Sequence, residues 1–251
     1  MGLLRFTVGI FGNVTALLMY LAPTITFRRI VRSRSTEQFS GVPYVITLLN
    51  CLLYCWYGLP FVSPNNLLLS TITGIGAVIE FTYVLVFVIY APKKERTKIL
   101  VLVALAVAIF STVALISFFV FHGKTRKLFA GVFVDIFAVA MFASPLSVMR
   151  LVIKTESVEF MPFFLSLFGL LCAVSWSIFG LINRDPFVIV PNALGSGLGV
   201  AQMSLYAMYH KRKHQHDNVV KDGSLETDLQ MPHEKQRPKT HQLEHGRSQN
   251  L

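Results

Sequence analysis

The sequence predicts an all-α membrane protein, seven transmembrane helices in a 3+1+3 arrangement of two parallel three-helix repeats. Three observations predict it. Of the 251 residues 53% are apolar and 14% charged, against about a quarter charged in soluble domains. The apolar residues fall into blocks of about 20, the length that crosses about 30 Å of hydrocarbon at 1.5 Å per residue. Finally, the stretch from Phe11 to Tyr90 recurs, with small gaps, from Phe133 to Tyr209, and a long internal period fixes architecture more firmly than any local pattern.

The predicted spans run Phe6 to Phe27, Val42 to Val62, Leu67 to Tyr90, Ile99 to Phe121, Leu128 to Leu151, Met161 to Ile182 and Phe187 to His210. The first is too long for the core of a signal peptide, so it is predicted to be retained. The fourth is poor in polar residues and has no counterpart in the repeat. A three-helix unit ends on the side opposite its start, so a second copy in the same orientation needs one extra crossing, and the fourth span supplies it. The domains are then 6–90, the first repeat; 91–127, the linker helix with its loops; 128–210, the second repeat; and 211–251, too polar to repay its ordering entropy and predicted to be a disordered cytosolic tail.

Net charge is +10, but the basic residues sit in short clusters between apolar blocks, a topology signal rather than a nucleic-acid footprint. Arg28, Arg29, Arg32 and Arg34; Lys93, Lys94, Arg96 and Lys98; Arg150 and Lys154; and Lys211, Arg212 and Lys213 all fall on one face. The opposite face has Arg5, Arg184 and one exception, HGKTRK at 122–127. The N-terminus is expected outside and the C-terminus in the cytosol. Cys51, Cys55 and Cys172 lie inside apolar blocks and read as small core residues, with neither a disulfide framework nor a zinc site indicated.

The repeat is specific because it matches residues other than Leu and Val: Asn13 with Asp135, Pro23 with Pro145, Ser35 with Ser157, Glu37 with Glu159, Pro43 with Pro162, Gly58 with Gly180, Pro64 with Pro186 and Gly76 with Gly195. Over about residues 6–210 the blocks LAPTITFRRI, STEQFSGVPY, LLNCLLYCWYGLPFVSPNN, APKKE, ASPLSVMRLV, SVEFMPFFLSL and INRDPFVIVPN resemble the plant SWEET (MtN3/saliva) sugar facilitators, hexose-type branch. That family is itself a standing instance of parallel repeats related by an axis along the membrane normal. The resemblance implies MtN3/PQ-loop-type repeats and bidirectional, facilitative uniport of a small neutral sugar, glucose or another hexose, by alternating access.

It also implies site residues. Pro23, Pro43, Pro145 and Pro162 match the family's cytoplasmic proline tetrad; each proline removes a helix hydrogen bond and so marks a hinge, a static kink or a helix start. Tyr57 and Asp185 match its extracellular gate, where one charge-assisted hydrogen bond holds and releases; an interfacial aromatic and a turn residue are the plainer readings. The pocket is expected at mid-membrane, with Asn192 for sugar hydroxyls and Trp176 for the C–H face. Their repeat partners Thr73 and Tyr54 depart from the family, which usually has Asn at the first, while close relatives often have Ser at the second. Gly58, Gly131 and Gly180 are expected to be structural. Glu80 and Asp135, carboxyls in apolar spans, suggest either proton coupling or a protonated acid hydrogen-bonded across helices.

No nucleophile, metal or nucleotide constellation stands out, so no enzyme, catalytic residue, metal or cofactor is expected. Expected partners are a small neutral sugar, membrane lipid and, from the resemblance, other copies of the family in homo- or hetero-oligomers at the plasma membrane; nucleic acid is not. Alternatives from the same residues are a sucrose transporter, a PQ-loop carrier of another metabolite, a transport-impaired member acting by oligomerisation, and a seven-helix receptor, against which the repeat argues.

Overall fold

The computed structural model describes residues 2–158, 161 and 163–230, the stretch 211–230 by its backbone alone. Every regular element among them is a helix: α1 (Gly2–Leu21), α2 (Thr24–Ser33), α3 (Val42–Tyr57), α4 (Leu67–Tyr90), α5 (Lys93–Phe119), α6 (Gly123–Met141), α7 (Ala143–Thr155), α8 (Phe163–Asn183) and α9 (Pro186–Gln230). Six stretches are long and apolar enough to span a membrane, counting α1 with α2 and α6 with α7 as one each. Exposed Ile25, Val78, Ile89, Val101 and Phe119 give the outside of the bundle an apolar surface, as lipid requires.

Proline accounts for the two breaks. A proline lacks the N–H for the carbonyl four residues back and its ring crowds that carbonyl. At Pro23 the ladder is closed short of the break by the Ala22 N–H, which donates to Leu18 and Met19. At Pro145, in the first turn of α7, the break falls at Phe142, whose N–H donates to Val139. The second span is shorter than predicted. α3 ends at Tyr57 rather than Val62, because Gly58 closes the helix and Pro60 disfavours helical geometry at Leu59. Turns carry the chain from there to Asn66.

The first helix of each repeat packs against the second helix of the other, α1 on α8 and α6 on α3. This reciprocal pairing is that of two units about a pseudo-twofold axis. Within the first repeat α4 packs on α1, α2 and α3, while α5, the most apolar span, lies on α3, α4 and α6. The basic exception at 122–127 has two structural uses. Arg126 donates to the carbonyls of Ser117, Phe118 and Phe121 at the C-terminal end of α5 and to that of Phe61, a side-chain cap on otherwise unpaired acceptors. Lys127 enters the polar cluster described below. Arg96 caps α4 in the same way at Val88, Ile89 and Ala91.

Backbone detail repeats along with helix order. A methyl group on Gly9 would lie 2.7 Å from the Leu68 side chain, and one on Gly131 would clash with the Phe187 ring; on Gly76 it would lie 2.6 Å from the Tyr20 ring, and on Gly195 3.4 Å from that of Phe142. Left-handed backbone recurs too, at Arg34 and Glu156 and at Asn65 and Arg184. Asn66 and Asp185, 119 residues apart, each accept two N–H donors at the start of the following helix, Leu69 and Ser70 in one case, Val188 and Ile189 in the other. This register corrects one match read from sequence: Pro186 begins α9 as Leu67 begins α4, so it does not pair with Pro64.

One compact unit ends at His210 and a second begins at Lys211. Where the sequence predicts a disordered tail over 211–251, the backbone is helical as far as Gln230. Lys, Arg, Gln, Glu and Leu in that stretch favour a helix, and no proline intervenes before Pro232.

Candidate functional site

The loops 58–66 and 184–185 close one end of the bundle. Asp185 is drawn to its centre by the turn that starts α9, its own N–H donating to Gly180 and its carboxylate accepting from the Phe187 N–H at 3.2 Å. Four more donors converge on that carboxylate: the Tyr57 hydroxyl at 2.7 Å on Oδ1, and Ser63 Oγ at 3.1 Å, Asn66 Nδ2 at 2.6 Å and Lys127 Nζ at 2.8 Å on Oδ2. Asn183 Nδ2 in turn donates to Asn66 Oδ1 at 3.3 Å. Tyr57 is fully buried and Asp185 is 1% exposed. Burial pushes the Asp185 carboxyl up, but the hydrogen bonds from Lys127, Tyr57 and Asn66 and the Lys127 charge outweigh it, and its pKa is lowered from the usual carboxylate value.

The predicted pair Tyr57 and Asp185 is therefore in contact. Sequence reading missed Ser63, Asn66 and Lys127. The signal that could have found Asn66 is the repeat: it is the counterpart of Asp185, and a residue that touches its own counterpart must stand on the pseudo-twofold axis. Gly58 and Gly180 brace this end. A methyl group on Gly58 would lie 2.8 Å from the Ser70 N and 2.9 Å from the Asn66 carbonyl; on Gly180 it would lie 3.0 Å from the Ile189 N.

At the other end the three described prolines of the tetrad behave differently. Pro23 and Pro145 break their helices. Pro43 stands in the first turn of α3, where the missing N–H would be unused anyway, so it starts a helix. Pro162 lies outside the described residues. The Pro23 break is braced by Tyr83 of α4, whose hydroxyl donates to the Tyr20 carbonyl at 3.0 Å and lies 2.7 Å from Thr24 Oγ1. The same ring stacks on Phe27 and meets Tyr44 edge-on. In the second repeat the corresponding carbonyl, Phe142, is satisfied by the Leu146 N–H, and Gln202 stands in place of Tyr83.

Between the ends, Trp176 is buried with its ring 3.1 Å from where a Gly12 methyl would be. Tyr54 and Thr73 are also buried. Thr73 Oγ1 donates to the Leu69 carbonyl at 2.8 Å and Asn192 Nδ2 to the Val188 carbonyl at 2.8 Å, so both spend a donor on their own helix. The predicted cross-helix hydrogen bonds of the two intramembrane acids are not made. Glu80 Oε2 and Asp135 Oδ1 are buried without a partner, as are Asn13 Oδ1 and Asn50 Nδ2. The three cysteines are free, Cys51 in the core and donating weakly to the Tyr20 hydroxyl.

A family model described as "Sugar efflux transporter for intercellular exchange" matches residues 6–95 and 129–214. The bidirectional sugar transporter SWEET1 of Arabidopsis thaliana is 61% identical over 201 residues, 80% of this chain and 81% of that one. The bidirectional sugar transporter SWEET1a of Oryza sativa subsp. japonica is 57% identical over 209 residues, 83% of this chain and 77% of that one. Among solved structures, that of a eukaryotic SWEET transporter at 3.7 Å matches with a TM-score of 0.81 and 46% identity, covering 82% of this chain and 97% of that chain.

Proposed function

Since the chain belongs to the MtN3/SWEET family of sugar transporters, we propose that it is a bidirectional facilitator that lets a small neutral sugar, glucose or a similar hexose, cross the plasma membrane down its gradient. The observation that carries this reading is that the family match covers both repeats and spares the linker between them. Such transport makes and breaks no covalent bond, so it needs no catalytic residue, metal or cofactor.

The cluster around Asp185 supports an outer gate, closed in this conformer, with the N-terminus outside and the arginine-rich end in the cytosol. Opening requires Tyr57, Ser63, Asn66 and Lys127 to let go together. The breaks at Pro23 and Pro145 supply hinges at the opposite end, where Pro43 and Pro162 complete the tetrad and alternate with the gate. In the substrate layer Asn192 and Trp176 recognise the sugar with Tyr54 and Thr73 opposite. Tyr54 sets a bulky phenol in this layer where close relatives often have Ser, which supports a monosaccharide over sucrose. Hydrogen bonds contribute about 1 kcal/mol each, so a handful gives about 4 kcal/mol, millimolar affinity, suited to fast release. Assembly with further copies of the family is part of the same reading.

The test is uptake and efflux of labelled glucose, sucrose and an amino acid by the purified protein in liposomes, with and without a pH gradient. Glucose flux in both directions, indifferent to the pH gradient and lost in Asn192→Ala, is expected. Preferred flux of sucrose or the amino acid overturns the hexose assignment, and flux driven by the pH gradient overturns uniport. A second reading, a transport-impaired member acting by assembly, draws on the Thr73 hydroxyl being tied to its own helix. It predicts no flux in the native protein and flux in Thr73→Asn.

A further inference from the structure

We propose that Asn13 and Asp135, one from each repeat, are a second pair of substrate contacts that accept hydrogen bonds from sugar hydroxyls and decide which hydroxyls are recognised. The inference rests on the sugar-transport reading above.

Helix register places both residues in the substrate layer. In the second repeat Gly131 of α6 lies under Phe187 of α9, and farther along the same helices Phe142 packs on Gly195. Positions 131, 135 and 142 share one helical face. Asp135 therefore looks at the part of α9 between Phe187 and Gly195, where Asn192 stands. Four residues from Gly131 to Asp135 and five from Phe187 to Asn192 descend about 6 and about 7.5 Å, the same layer within a side chain's reach. In the first repeat the contacts of Gly9 with Leu68 and Tyr20 with Gly76 set the same register between α1 and α4. Asn13 thus looks at the stretch holding Thr73, beside the Gly12 that Trp176 covers. Asn192 and Thr73 therefore fall beside these two, and Trp176 lies against the neighbouring Gly12.

Chemistry singles them out within that layer. Buried polar atoms nearly always have partners, and one that does not calls for a cause. Here Oδ1 of Asn13 and Oδ1 of Asp135 are both buried and unpartnered, at equivalent places in the two repeats, so one cause serves both. An orphaned acceptor lacks a donor, and a sugar presents a ring of hydroxyl donors. Thr73 and Asn192 have meanwhile committed a donor each to their own backbones. An amide on one side and a carboxyl on the other also make the layer unequal in its donors and acceptors, so the sugar is held in a preferred orientation.

The experiment measures KM and Vmax in liposomes for glucose and its 2-, 3-, 4- and 6-deoxy analogues, with native protein, Asp135→Ala, Asp135→Asn and Asn13→Ala. Native protein is expected to penalise at least one deoxy analogue. Asp135→Ala should raise the glucose KM about tenfold, the effect of one hydrogen bond left unmade at a buried site, with Vmax nearly unchanged, and should erase that analogue's penalty. Asp135→Asn, which keeps shape and an acceptor oxygen, should recover most of the affinity, and it carries the test if the alanine variant does not fold. Asn13→Ala should erase the penalty for a different hydroxyl. Variants that lower only yield or Vmax, with analogue preferences intact, overturn the inference while leaving the transport reading standing. Native protein that carries no sugar overturns both.

Discussion

The two repeats agree in backbone and differ in chemistry. Helix breaks, left-handed residues and glycine contacts recur at matched positions, yet Asn66 faces Asp185, Tyr57 answers Phe179, Thr73 answers Asn192 and Tyr83 answers Gln202. The agreement lies where atoms are closest, because a glycine under a ring leaves no room for anything larger and a close-packed interior does not yield. The differences lie in polar side chains, where shape allows a choice. Symmetry here supplies a frame for rocking, and departures from it assign each half its own task.

The largest effect is expected where the shared frame itself is broken. Gly58→Ala pushes a methyl group against backbone atoms of Ser70 and Asn66, which cannot turn aside. It should cost about 2–3 kcal/mol and lower the melting temperature in detergent by more than Gly180→Ala, whose nearest neighbour is the Ile189 side chain.

Next comes erasing the central difference. Asn66→Asp sets two carboxylates within hydrogen-bond distance on the axis, so the cluster should open at neutral pH and close again in acid as the pair takes up a proton. Labelling of a Val188→Cys probe, buried just inside the cluster, by an impermeant maleimide should rise more than tenfold and fall back on acidification. Tyr57→Phe, which copies Phe179 into the first repeat, leaves Asp185 its other donors. It should weaken closure by about 1–3 kcal/mol, with a smaller rise in labelling than Asn66→Asp.

Smaller still, Thr73→Asn makes the substrate layer more alike across the axis and should lower the glucose KM about fivefold, the effect of one added hydrogen bond of about 1 kcal/mol. The smallest effect concerns pH in the native protein. The folded-state pKa of Asp185 is lowered, so its contribution to closure is complete above the ordinary carboxylate pKa of about 3.9 and is lost as pH falls through the lower folded value. Probe labelling should stay flat between about pH 5 and 8; a rise within that window contradicts the assignment of Asp185 as the ionised centre of the cluster.

Much of this was legible in the sequence. Periodicity and matched prolines gave the spans and the repeat, and the Tyr57–Asp185 contact followed from the resemblance. What escaped was whatever depends on register between distant loops. Matching Pro64 with Pro186 placed the gap wrongly and hid that Asn66 is the counterpart of Asp185. Lys127 read as an exception to a charge rule because its partner is far along the chain. Pro43 looked like Pro23 and Pro145 because a proline that starts a helix and one that breaks a helix are the same letter. Asn13 and Asp135 were visible as matched polar residues, but that each lacks a partner is a property of packing alone.

The meeting of Asn66 with Asp185 has a consequence for how such a molecule can be assembled. Two identical subunits related by a twofold axis set every axial residue against itself: aspartate would face aspartate, and asparagine its twin. A homodimer of three-helix units can therefore not combine one carboxylate with amide, phenol and ammonium donors at its axis. Joining both units in one polypeptide through α5 lifts that restriction. The fused chain can keep the economy of a duplicated frame and still close with an ion pair that no self-paired dimer could form.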